Sequence, residues 1–125
     1  MQTAKKLLIL FHGLTSLMQF GLGAWILFGL NGLLSVEHMT YTPDLKVFST
    51  YFGACLFIFA SLGVMAIVFN LQDKPEALVV SKFVGWWMLI AGVIVIAEIG
   101  RYDLALVDFV RGAAILVSAY LVKNG

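Results

Sequence analysis

The chain has 125 residues, 62% of them hydrophobic and 12% charged, and a mean hydropathy of +0.99. A soluble domain of this length carries about twice that share of charged residues, so the composition excludes an ordinary soluble globular domain and belongs to a lipid-embedded one. The formal net charge of +1 excludes the basic field of a nucleic-acid-binding protein.

A helix that crosses the ~30 Å hydrocarbon core needs about 20 apolar residues. Four stretches meet that length, at residues 7–30, 47–71, 78–99 and 104–122. The first follows Lys5 and Lys6. Its apolar run is longer than the roughly 7–15-residue core of a secretory signal and has no clear small-x-small cleavage site, so it is expected to remain as a helix. Residues 31–46 are predicted as the longest loop and contain Pro43 followed by Asp44. Residues 72–77 hold Asp73, Lys74, Pro75 and Glu76, a polar turn with a proline placed to start a helix. Residues 100–103 read as a tight turn with Asp103 as N-cap of the last helix. No linker or composition shift marks a second domain. The expected fold is therefore all-α, one transmembrane domain over residues 1–125, built as an integral membrane four-helix antiparallel bundle.

Lysine and arginine near the helix ends set the expected orientation. With the N-terminus in the cytoplasm, Lys5, Lys6, Lys74, Lys82 and Lys123 lie on the cytoplasmic side. Lys46 and Arg101 then lie outside, with Arg111 buried nearer that side. This bias predicts that both termini are cytoplasmic.

Small and polar residues mark the faces through which the helices are expected to meet, because they allow close approach and bonds across the contact. The first helix carries His12, Thr15, Ser16, Gln19 and Gly23 at spacings of three and four. The second offers Thr50, Gly53, Ala54 and Ser61, and the third Ser81, Gly85 and Gly92. In the fourth, Asp108, Arg111, Gly112, Ile115 and Ala119 share a face, leaving Leu106, Phe109, Val110 and Leu121 for lipid.

Residues 98–111, EIGRYDLALVDFVR, concentrate charge between two apolar runs. An Arg or Asp near the middle of a spanning helix costs roughly 2.5–3.5 kcal/mol, so such charges pair, face the bundle interior or border a water-filled cavity. Asp108 and Arg111 are three apart and share a helix face, and Glu98, ending the preceding helix, is expected to join them. One reading of this cluster is a proton relay or a site for an ion or polar headgroup. The other is an ion pair that fixes helix register.

His12 and Gln19 are the candidate cofactor-binding residues. A haem held between two histidines needs a second one in the membrane, and the only other, His38, falls in the predicted loop. His12 is about 25 Å from that end of its helix. An interhelical hydrogen bond is thus the favoured role for His12, and Gln19 reads as polar glue between helices. Cys55 is the only cysteine and sits in an apolar run, which excludes an intrachain disulfide. No Ser-His-Asp set, paired-cysteine motif, zinc pattern or phosphate loop occurs, so no catalytic residue, metal or cofactor is predicted.

The patches GLNGLLSVEHM at the end of the first helix, YFGACLFIFASLG in the second and IAEIGRYDLAL at the third-to-fourth turn resemble small four-helix membrane proteins of the DoxX-like kind. The resemblance spans most of the chain in topology and these patches in residues. The start of the second helix lacks the arginine of closer relatives. A fold and a membrane location are what the resemblance implies, with no activity to transfer.

The expected function is that of a structural or accessory membrane subunit without catalytic activity of its own. It would act through helix–helix contacts with a protein partner or with further copies of itself. Two alternatives stand beside it. One is a small oligomeric transporter or channel using Glu98, Asp108 and Arg111. The other is a quinone- or lipid-binding membrane subunit with His12 and Gln19 near the ligand.

Overall fold

The computed structural model describes residues 3–124. Its elements are α1 (Thr3–Phe28), α2 (Leu30–Val36), α3 (Pro43–Leu71), α4 (Glu76–Glu98) and α5 (Tyr102–Asn124). All except α2 are long and apolar enough to cross a membrane.

The helix ends follow local chemistry, and three of them differ from the sequence reading. Residues 31–46 are not all loop, because Leu30, Leu33 and Leu34 recur at helical spacing and form α2. The chain bends between α1 and α2 at Gly29, with φ −145° and ψ 38°. The Gly29 N–H still donates to the Trp25 carbonyl at 2.8 Å, and Leu33 N–H to the Gly29 carbonyl at 3.1 Å. Helix α3 starts at Pro43 rather than residue 47. The Thr42 hydroxyl accepts from Leu45 N–H at 3.1 Å as N-cap, Pro43 takes the first helical position, and Asp44 sits in the first turn. Helix α5 starts at Tyr102, so Asp103 lies in its first turn instead of capping it. The cause is Gly100, whose φ of 75° closes α4 in one residue and lets the Arg101 carbonyl accept from Ala105 N–H at 3.1 Å. His38 and Asp73 take the same left-handed position after α2 and α3, each at φ 55°. The six-to-one bonds that mark this ending run from Met39 N–H to the Leu34 carbonyl (2.8 Å) and from Lys74 N–H to the Phe69 carbonyl (2.9 Å).

The four long helices pack up-down-up-down. Gly23 lies against Gly53 while Ser16 lies against Gly63, so α1 and α3 run in opposite directions. Gly85 meets Gly112 and Leu116, and Gly92 meets Phe109, which fixes the same relation for α4 and α5. These two pairs make the closest contacts, and α3–α4 and α1–α5 packing completes the ring. Close approach is needed most at Gly112, where a Cβ would lie 2.8 Å from the Gly85 carbonyl oxygen. One apolar cluster joins Ile26, Leu56, Trp87, Met88 and Ala91. A second, toward the termini, joins Leu8, Val84, Ile115 and Ala119. Lys5 pairs with Asp73 at that same end.

The expected faces hold for α1, α4 and most of α5, whereas α3 is rotated. Its buried stripe is Ser49, Gly53, Leu56, Ala60, Gly63, Ala66 and Asn70, while Thr50, Ala54 and Ser61 are exposed. The outward hydroxyls are satisfied within their own helix: Thr50 donates to the Lys46 carbonyl and Ser61 to the Phe57 carbonyl, both at 2.9 Å. Phe109 is half-buried rather than lipid-facing, because its ring fills the space left open at Gly92. Large apolar side chains cover the outside, among them Leu17, Ile58, Val93, Leu106 and Val117.

Candidate functional site

The polar stripe of α1 points inward along the bundle. His12, Thr15, Ser16 and Gln19 are all buried. The His12 Nε2 and Ser81 Oγ atoms are hydrogen-bonded at 2.8 Å, which gives His12 the interhelical role favoured above. No group of three metal-ligating side chains forms around it among the described residues. His12 does not border the cavity described below, but Gln19 does.

Gln19 is held by Trp87. The indole Nε1–H donates to Gln19 Oε1 at 3.0 Å. The indole is itself fixed, stacked on Phe59 with centroids 4.5 Å apart and planes 8° apart, and tilted against Phe52 at 6.0 Å. An indole nitrogen only donates, so the amide oxygen must face Trp87 and the amide nitrogen must point away from it. That nitrogen is buried and has no hydrogen-bond partner.

Two turns from its N-terminus, α5 contributes the charged pair. Arg111 Nη2 donates to Asp108 Oδ1 at 2.7 Å, with the two side chains 17% and 13% exposed. Arg111 Nη1 donates to the Met18 sulfur at 3.3 Å, a weak acceptor, and the buried Nε has no partner. The structure does not bring Glu98 into this group. Glu98 is exposed at the last residue of α4, because the cavity-facing residues of that helix are Val95 and Ile99. At 100° per residue, Glu98 is turned roughly 60–100° away from them.

Besides Asp108, the acidic residue that borders the cavity is Glu37, at the end of α2. Arg101 Nη2 donates to Glu37 Oε2 at 3.0 Å and Nη1 to the Glu37 carbonyl at 3.1 Å. The same guanidinium makes paired bonds to Asp103, from Nε at 2.9 Å and Nη2 at 2.8 Å. The hydrogen bond to Asp103, with Glu37 adding to it, pushes the Arg101 pKa further above its already high range. Glu37 lies within residues 31–46, the segment expected to be loop. The signal for it was Leu30, Leu33, Leu34 and Glu37 at i, i+3, i+4 and i+7.

These groups surround a cavity of about 310 Å³ at the α2 end of the bundle. Its walls are apolar, with Leu22, Ile26, Phe52, Leu56 and Val95 prominent, and α2 covers it with Leu30, Leu33 and Leu34. Gln19, Asp108 and Arg111 stand at its deep end and Glu37 near its rim. Met18 and Val107 line it too, and they are also 48% and 44% exposed. Both residues stand in the seam between α1 and α5, between the cavity and the bundle exterior. Such a site can hold an apolar body and hydrogen-bond a polar head. No family model, curated protein or solved structure matches this chain.

Proposed function

We propose that this chain is a multi-pass membrane protein that binds a lipophilic molecule in the cavity beneath α2. The carrying observation is the cavity itself: about 310 Å³ with apolar walls and Gln19, Asp108 and Arg111 converging at one end. By the coefficient for buried voids, about 24 cal/mol per Å³, filling it is worth at most about 7 kcal/mol. A site between helices with a seam toward the exterior suits a ligand that arrives through lipid. Membrane insertion is supported by the four apolar helices and the apolar exterior. The lysine and arginine bias supports cytoplasmic termini, with α2 on the opposite face. The resemblance to DoxX-like proteins contributes the same layout and nothing more.

This reading takes up the lipid- or quinone-binding alternative. The accessory-subunit expectation fits within it, since a binding cavity without a catalytic set acts by presenting what it holds to a partner or a second copy. The transporter alternative draws on the same cavity, with Glu37 in the place expected of Glu98.

Purification in mild detergent, followed by mass analysis of bound small molecules, tests the proposal. The wild type is expected to retain a lipophile. Ser49→Phe, which fills the cavity from α3, is expected to lose it while remaining folded by circular dichroism. Equal retention by both proteins would refute the site.

A further inference from the structure

The polar groups at the deep end of the cavity define the head of its ligand. We infer that this head is uncharged and accepts hydrogen bonds, as an ester or quinone carbonyl does, and that Gln19 and Arg111 recognise it. The inference rests on the reading of the cavity as a lipophile site.

Four buried side-chain atoms lack a hydrogen-bond partner among the described residues: His12 Nδ1, Ser16 Oγ, Gln19 Nε2 and Arg111 Nε. The two that belong to cavity-lining residues, Gln19 Nε2 and Arg111 Nε, are both donors. Gln19 is only 1% exposed and its orientation is set by Trp87, so it cannot turn to offer its oxygen without abandoning the indole N–H. The Arg111 Nη1 bond to the Met18 sulfur is readily exchanged for a better acceptor. A carbonyl oxygen brought against these side chains would supply the acceptor that both donors lack.

Charge argues the same way. Asp108 and Arg111 already neutralise each other at 2.7 Å. An anionic head would face the Asp108 carboxylate, and Glu37 lies at the rim. A cationic head would face Arg111. An uncharged acceptor avoids both conflicts.

Depth makes the third argument. Gln19 is nine residues from the end of α1, and Arg111 nine residues from the start of α5. At 1.5 Å per residue each is ~14 Å from its helix end, near the middle of a ~30 Å hydrocarbon core. A charged headgroup must leave the interface and most of its hydration to reach that depth, whereas an uncharged carbonyl gives up far less. Met18 and Val107, in the seam between α1 and α5, line the cavity at a similar depth.

The test uses the full chain in detergent and four probes sharing one medium-length alkyl tail: a benzoquinone, a methyl ester, a carboxylate and a primary ammonium. Native mass spectrometry gives relative affinities, and thermal unfolding gives ligand-induced shifts. The quinone, the ester or both are expected to bind at least about tenfold more tightly than either ion. A preference for the quinone assigns a quinone ligand, and a preference for the ester assigns an acylglycerol-like one. Arg111→Lys keeps a cation beside Asp108 but removes the Nε donor, and Gln19→Met removes the amide donor at similar length. Each is expected to weaken carbonyl binding about tenfold. The tail-matched alkane, which has no acceptor, is expected to lose less affinity in these variants than the quinone or the ester does. Tighter binding of the carboxylate or ammonium, or unchanged carbonyl affinity in both variants, would overturn the inference and leave the lipophile site standing. Failure of every probe, the alkane included, would overturn the site as well.

Discussion

The charged pair on α5 offers the sharpest test of the packing. Asp108→Asn removes one charge and leaves Arg111 behind; Arg111→Gln does the reverse. The two side chains are 13% and 17% exposed, and their contact is 2.7 Å. Stranding one partner of a buried pair costs about 3–5 kcal/mol. Residual exposure and the remaining polar atoms of the cavity place each single change near the lower end, about 3 kcal/mol. The double change strands no charge, so it should recover part of that loss and cost less than either single change, rather than the sum of the two. The expected coupling is therefore at least about 3 kcal/mol, read from a double-mutant cycle on equilibrium unfolding in mixed micelles. Met18→Leu, which removes only a thioether acceptor from Arg111, should cost less than about 1 kcal/mol. A coupling below about 0.5 kcal/mol would mean that the two residues do not depend on each other, and the packing of α5 against α1 would have to be redrawn.

Much of the architecture is legible because helices long and apolar enough to cross a membrane follow a simple rule. An apolar run near 20 residues spans, and a Pro-, Gly- or charge-rich interval turns. That rule marks the four long helices, but it passes over α2, whose seven residues are too short to register as a span. The helical signal was nonetheless present in Leu30, Leu33 and Leu34, and the start of α3 in the Thr42–Pro43 cap. The pairing of Asp108 with Arg111 follows from spacing within one helix. Glu98 failed for the complementary reason: nearness along the chain does not set helix phase. The adjacent tryptophans make the same point, since Trp86 is 57% exposed and Trp87 only 8%. The bond from Trp87 to Gln19 bridges 68 positions between α1 and α4, a contact that no local periodicity encodes. The cavity depends on such long-range contacts and on the bend at Gly29, so only its individual residues could be nominated in advance.

Orientation is open to direct labelling. In a Cys55→Ala background, Thr40→Cys should react with an impermeant reagent on intact cells, and protection there with labelling of a cysteine added at the N-terminus would invert the proposed topology. Gly112→Leu should destabilise the protein far more than Leu106→Ala, because a Cβ at Gly112 would meet the Gly85 carbonyl oxygen at 2.8 Å while Leu106 is 61% exposed. Similar thermal midpoints in detergent would show that α4 and α5 do not approach as described. Gly100→Ala, at φ 75°, should cost about 1–2 kcal/mol, and an unchanged unfolding midpoint would count against the left-handed turn. The latch over the cavity gives the last prediction. Arg101 joins the α4–α5 turn to the end of α2 through both the Glu37 carboxylate and the Glu37 carbonyl. The side chains are 30% and 28% exposed, so the ion pair itself is weak and screened by solvent. Its contribution is small against global stability but large for a seven-residue helix that covers a cavity. Arg101→Ala should therefore leave the unfolding midpoint nearly unchanged. It should also speed amide exchange of Glu37 and Met39 about fivefold, with no change at Met88 or Ala91 in the core of α4. Uniform acceleration along the chain would mean that Arg101 supports the whole bundle, and no acceleration at Glu37 would mean that α2 is held by Leu30 and Leu34 alone.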